Sequence, residues 1–228
     1  MSEIMKVSKN ELKDRLKFRC EHGHNGIGHK NCFDVANNIV ERIGFFDIEA
    51  EDLNADYGVM FSYCILDQNN KLYSDMLTLA DIQKYKSTKR DIEPKEDSRI
   101  LQSLIRDLGN FDRVIGHYSC GYDLPFIRTR AVICDIPFPE YGTLYQSDTW
   151  VILKKKFKLS RNSLMNGALK LVGATRKDHL SLSVKHGVLR GEEWAKKITH
   201  DHCYKDVLDT RDLYNKISPY LRKTKSSI

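Results

Sequence analysis

The spacing of hydrophobic and polar positions changes several times along the chain, and each change predicts an element. Residues from about 5 to 18 read as a charged amphipathic helix, and Val35 to Arg42 as a short second helix. Ile43 to Glu49 then runs I-G-F-F-D-I-E, a short apolar strand ending in two carboxylates. Strand side chains alternate between faces, so Asp47 and Glu49 share one face while Phe46 and Ile48 turn the other way into a core. Tyr57 to Leu66, rich in β-branched and aromatic residues, is a second strand; Lys71 to Thr78 is a third, across the turn Gln68-Asn69-Asn70. Ala80 to Glu96 is polar, carries Pro94, and predicts an irregular connection with room for a short helix. Ile100, Leu101, Leu104, Ile105 and Leu108 recur at helical spacing and stop at Gly109. Arg113 to His117 reads as a buried strand and Leu124 to Cys134 as a helix. Asp206, Thr210, Leu213 and Ile217 fall on one inward helical face, with His202 one turn before Asp206. Strands first, then strand and helix in alternation, predict an α/β sandwich on a mixed sheet.

Composition bounds this picture. The 228 residues suffice for one full core and a small appendage, which places an N-terminal module at 1–38 and the main domain at 39–228. With 41% hydrophobic and 30% charged residues, the chain is expected to be soluble and globular, without long disorder. No apolar run approaches a membrane span, and Met1 to Arg19 is too charged for a signal peptide, so a cytoplasmic protein with no membrane partner is expected. In that compartment the six cysteines are thiols or metal ligands. A net charge of +6 suits a polyanionic partner.

Three places carry candidate chemistry. Two acids side by side, such as Asp47 and Glu49, repel unless a cation lies between them, so the strand end is half of a divalent-metal site or simply a strand running into a polar turn. Asp123 precedes Leu124 and Pro125; it is either a helix cap or a third carboxylate of that site. An inward Asp206 on an apolar stripe is costly unless paired or metal-bound. Separately, Cys20, His22, His24, His29 and Cys32 lie within thirteen residues around the turn Asn25-Gly26-Ile27-Gly28. Thiolates and imidazoles at these spacings reach a tetrahedral zinc: Cys20, His29 and Cys32 are three ligands, and His24 or His22 the fourth. Finally, eight basic residues and no acid lie between Asp148 and Asp178. Of these Lys154, Lys155, Lys156, Lys158 and Arg161, with Trp150 and Phe157 interleaved, suit phosphates and unpaired bases. The bland alternative makes Phe157, Leu159, Leu164 and Leu171 core and the lysines a solvated face.

As a set, F-D-I-E at Phe46–Glu49, G-H-Y-S-C-G-Y-D-L-P-F at Gly116–Phe126 and H-C-Y-K-D-V at His202–Val207 resemble the DEDD 3′–5′ exonucleases. The likeness is nearest to the proofreading domain of family-B DNA polymerases and its stand-alone relatives, and it covers roughly residues 41 to 220. Leu159 to Val172 looks like the helix that follows the second motif in those relatives. The resemblance implies a ribonuclease H-like mixed sheet flanked by helices, and the zinc-binding knuckle read from the cysteine and histidine spacing precedes it. The resemblance also implies hydrolysis of single-stranded DNA at 3′ ends, RNA being the other possible substrate. Asp47, Glu49, Asp123 and Asp206 would hold two Mg²⁺ or Mn²⁺ ions roughly 4 Å apart, with His202 assisting the attacking water. Two positions depart from the pattern: Tyr118 stands where the family has Asn, and His202 where it has Tyr.

Overall fold

The computed structural model describes residues 9–86, 95–140 and 142–221. The chain divides into two compact units, Met1–Glu41 and Arg42–Ile228.

In the first unit, helices α1 (Lys9–Lys17) and α2 (Lys30–Ala36) are joined by the loop that carries the cysteines and histidines. The apolar material is slight. Phe33 is buried, Phe18 meets it edge-on at 5.3 Å, and the Arg15 guanidinium lies 4.5 Å over its ring while pairing with Asp34 at 3.0 Å. The helix predicted from Val35 to Arg42 is not there; α2 lies earlier in the chain. It ends because Asn38 turns left-handed (φ +53°) and the Ile39 N–H closes back on the Asp34 carbonyl at 2.7 Å.

The second unit is built on a five-stranded sheet of order β3-β2-β1-β4-β5. The strands are β1 (Ile43–Ala50), β2 (Met60–Asp67), β3 (Leu72–Met76), β4 (Arg113–Gly116) and β5 (Tyr145–Asp148). The first three form an antiparallel meander, and β4 and β5 add in parallel, so the sheet is mixed. Its helices are α3 (Leu79–Lys86), α4 (Ser98–Leu108), α5 (Asp123–Ile133), α6 (Thr149–Lys156), α7 (Leu164–Gly167), α8 (Leu182–Leu189) and α9 (Glu193–Ile217). The residues predicted as an irregular connection thus begin with α3, and 87–94 lie outside the described residues. The helix read from Leu159 starts later, at Leu164, where Ser163 caps it, and passes directly into a π turn, Ala168–Val172.

Both faces of the central strands are covered, which is why β2 is buried almost throughout rather than at alternate positions. On one face Phe46, Ile48, Tyr63 and Ile65 pack with Ile100, Leu104, Leu124 and Ile127. On the other, Phe45, Cys64, Leu66 and Ile115 meet Cys203 and Val207 of α9. Beneath the first face, Arg130 and Asp97 form a fully buried ion pair at 2.7 Å, and Asp97 also accepts the Met60 N–H at 2.9 Å. This ties α5, the start of α4 and β2 together. Among the described residues, no helix is long and apolar enough to cross a membrane.

Candidate metal and nucleic-acid site

The site grows out of a mismatch in strand length. Strand β4 pairs with β1 only over Ile43 to Phe45, whereas β1 continues to Ala50 against β2. Beyond Phe45, one edge of β1 is therefore open. Asp123, the first residue of α5, fills the opening: its Oδ1 accepts the Ile48 N–H at 3.2 Å. The cap position belongs to Tyr122, so the Asp123 carboxylate faces β1 instead of serving as the helix cap. From the α9 side, the Cys203 thiol donates to the Asp47 carbonyl at 3.2 Å, and this brings its neighbour His202 and, one turn on, Asp206 over the same strand end. Asp47, Glu49, Asp123, His202 and Asp206 thus line one cleft of about 630 Å³. Glu49, His202 and Asp206 each offer a donor atom within 4.8 Å of the others.

Charge in the cleft is unbalanced. Burial, then the repulsion of Asp123, Asp206 and Glu49, pushes the Asp47 carboxyl well above its ordinary range. Burial and Asp206 push Glu49 up to about 8. Burial takes Asp123 to about 7 even though backbone N–H donors pull it down. Asp206 is raised by burial against the pull of Lys177. Lys177 pairs directly with Asp206, while Lys185 is turned to the Ala50 and Glu51 carbonyls at 3.0 and 3.1 Å. Asp206 Oδ1 is buried and has no hydrogen-bond partner among the described residues. Clustered hard oxygen donors, an unpaired buried carboxylate oxygen and suppressed ionisation fit a divalent cation such as Mg²⁺ or Mn²⁺.

His202 lies between two carboxylates, and among the described residues its Nδ1 has no hydrogen-bond partner. Its Nδ1 lies 3.0 Å from Asp178 Oδ1 and its Nε2 3.7 Å from Glu49 Oε1; Lys205 fixes the other Asp178 oxygen at 2.6 Å. Burial lowers the His202 pKa, favouring the neutral ring.

Other residues escaped notice in the sequence. Asp148, at the end of β5, is buried and accepts four backbone N–H groups: Trp150 and Val151 in α6, and Tyr118 and Cys120 in the loop after β4. It fixes the loop that delivers Asp123. Lys177, counted with the basic run, is instead the counter-charge of the cleft, and Arg176 is spent on Asp209 and Asp212. Phe157 and Leu159 pack against the cluster of Leu153, Leu164, Leu213 and Ile217, so Phe157 is packing, as the bland alternative had it. Lys154, Lys155, Lys156, Lys158 and Arg161 remain exposed, and Lys154 lies 4.7 Å over the Trp150 ring.

In the first unit, Cys20, His22, His29 and Cys32 converge with donor atoms within 4.8 Å of one another, a group able to hold a metal. Cys20 Sγ is 3.4 Å and Cys32 Sγ 3.6 Å from His29 Nδ1, and Cys32 Sγ is 3.8 Å from His22 Nδ1. Spacing alone left His22 and His24 open. The turn in which Gly23 N–H bonds the Cys20 carbonyl brings His22 into the group, whereas the His24 ring lies tilted against His29 with centroids 4.2 Å apart.

The class these features define is an α/β domain with a mixed sheet and an acidic cleft at the end of its central strand. Among solved structures, the family B DNA polymerase from the hyperthermophilic archaeon Pyrobaculum calidifontis is similar, with a TM-score of 0.60 at 16% identity over 79% of this chain and 25% of that one. The likeness is one of fold, and this chain spans about a quarter of the polymerase's length. No protein-family model and no curated protein matches the sequence.

Proposed function

We propose that the chain is a metal-dependent 3′–5′ exonuclease acting on single-stranded DNA ends. The observation that carries the reading is the convergence of four carboxylates from three distant segments into one cleft, where their ionisation is suppressed. Isolated buried acids destabilise a fold, so a cluster of them implies a bound counter-charge. The sheet order, with β2 alone antiparallel to β1, β3, β4 and β5, is read as ribonuclease H-like, and the four acids as the DEDD set.

Asp47, Glu49, Asp123 and Asp206 would hold the ions. Two divalent cations bound there would supply an activated water and charge compensation at the scissile phosphate. The residues of the chain do the rest. His202, whose neutral form burial favours, takes the proton of the attacking water at Nε2. Lys177 places a positive charge beside Asp206 and the phosphate. The exposed lysines at the end of α6 contact the backbone of the incoming strand.

End-labelled single-stranded, double-stranded and circular DNA, with Mg²⁺ or Mn²⁺, tests the reading. Stepwise shortening from 3′ ends supports it. Cutting of circles would make the chain an endonuclease, and binding without cutting would remove the enzyme assignment; matched RNA fixes the sugar preference.

The Cys20, His22, His29 and Cys32 group is read as a structural zinc site, since two thiolates and two imidazoles suit tetrahedral Zn²⁺ and the first unit has little apolar core of its own. Elemental analysis should find about one zinc per chain in the native protein and markedly less in Cys32→Ser. A native protein without zinc would rule this out.

A further inference from the structure

Tyr118 is held in a conformation its residue type disfavours. Its φ is +61°, in the left-handed region that bulky side chains rarely occupy and Asn or Gly tolerates. The buried Asp148 carboxylate imposes this by accepting the Tyr118 N–H at 2.9 Å and the Cys120 N–H at 2.9 Å. The turn is closed by the Gly121 and Tyr122 N–H groups on the Tyr118 carbonyl, and Tyr122 leads directly into Asp123. None of these bonds uses the aromatic ring. Nonetheless the ring is there, 46% exposed, on the wall of the cleft that holds the four acids.

The ring is also positioned. Its edge meets Trp150 at 5.1 Å between centroids, with the planes 68° apart. A Cβ on Gly121 would lie 2.5 Å from Tyr118 Cζ, so the ring rests directly over that glycine. Trp150 in turn carries Lys154 over its face. The ring on the cleft wall is thus in contact with the indole, and the indole with the ammonium. An exposed, buttressed ring on a strained backbone beside a phosphodiester-cleaving centre has the chemistry of a base-stacking platform.

We propose that Tyr118 stacks on an unpaired nucleobase next to the scissile phosphate and so selects single-stranded ends. This rests on the nuclease reading, and binding and cleavage are measured separately so that the two fail differently. Labelled single-stranded oligonucleotides, with normal or abasic 3′-terminal nucleotides, are titrated in Ca²⁺ for Kd and assayed in Mn²⁺ for KM and kcat. The native protein should bind the base-bearing strand roughly 5- to 150-fold tighter than the abasic one, the range for one base–aromatic stack. Tyr118→Phe should keep that ratio. Tyr118→Asn suits the left-handed backbone, so it should melt no lower than the native protein, yet bring the Kd and KM ratios close to one with kcat little changed. Gly121→Ala, which must displace the ring, should shrink the ratio in the same direction. A ratio preserved in Tyr118→Asn, or lost in Tyr118→Phe, overturns the platform. A native protein that binds with the expected ratio but cuts neither strand overturns the nuclease reading and leaves the platform standing; one with no ratio at all overturns the platform.

Discussion

Asp47→Asn should abolish nearly all 3′-end cleavage while making the metal-free protein more stable, not less. Asn fills the same space on β1 and leaves the strand's ladder to β2 intact. What it removes is a charge that the cleft concentrates: Asp47 is crowded by Asp123, Asp206 and Glu49, with Lys177 opposing. If those acids gather divalent ions for hydrolysis, losing one should lower kcat by at least the ~10²–10³-fold typical of removing a single charge-stabilising group. KM should change much less if the exposed lysines at the end of α6 grip the strand. In EDTA the relief of repulsion should raise the melting temperature by a few degrees, at ~2–4 °C per kcal/mol for a domain of this size. Parallel kcat and melting measurements check both halves. Full activity in Asp47→Asn would remove the assignment, and equal melting temperatures would mean that the cluster is not repulsive. A gain in stability with a loss of function is expected wherever a site holds like charges together for its chemistry.

Much of this cleft is legible in the sequence, for a definite reason. The alternation of β1 and the heptad-like face of α9 are local patterns, and each assigns its acids to one face without knowledge of the partner. The structure buries Asp206, Thr210, Leu213 and Ile217 together, and it separates Asp47 and Glu49 from Phe46 and Ile48, as those periods predict. What was not legible depends on segments that meet only in three dimensions. Asp148 looks like an ordinary residue before a helix; half of its role is set by two N–H groups some thirty positions away. Lys177 sits in a basic run, yet long-range packing turns it toward Asp206 while its neighbours at Lys154–Lys156 stay in solvent. His22 and His24 differ only in which side of a tight turn they leave, so no spacing rule separates them. The misplaced helix at Val35 has the same origin: the pull of the Cys/His loop on Lys30–Ala36 outweighs the weak helical pattern that follows.

The cleft should also write its charge into the pH dependence of stability, and Glu49→Gln isolates that signature. Glu49 titrates near 8 in the folded protein, against 4.5 for an unperturbed glutamate, because burial and Asp206 disfavour its charged form. Between these values the folded state holds a proton that the unfolded state has released. Stability therefore falls as pH rises through this window and levels off above about 8. Gln carries no titrating proton, so the difference in melting temperature between native protein and Glu49→Gln cancels the contributions of groups outside the cleft. In EDTA the native protein should match the variant near pH 5 and melt several degrees below it at pH 8, each unit of pKa separation being worth ~1.4 kcal/mol. Mn²⁺ should reverse the order at pH 8, because the ion binds only the deprotonated carboxylates and binds the folded state alone. At pH 5 the same ion should have little effect, since protons compete for the same oxygens. A difference that does not vary with pH in EDTA would show that Glu49 ionises normally inside the fold. A pH-dependent difference that Mn²⁺ leaves unchanged would show that the cleft is acidic without being a cation site, and the proposed hydrolysis would then have no metal to depend on.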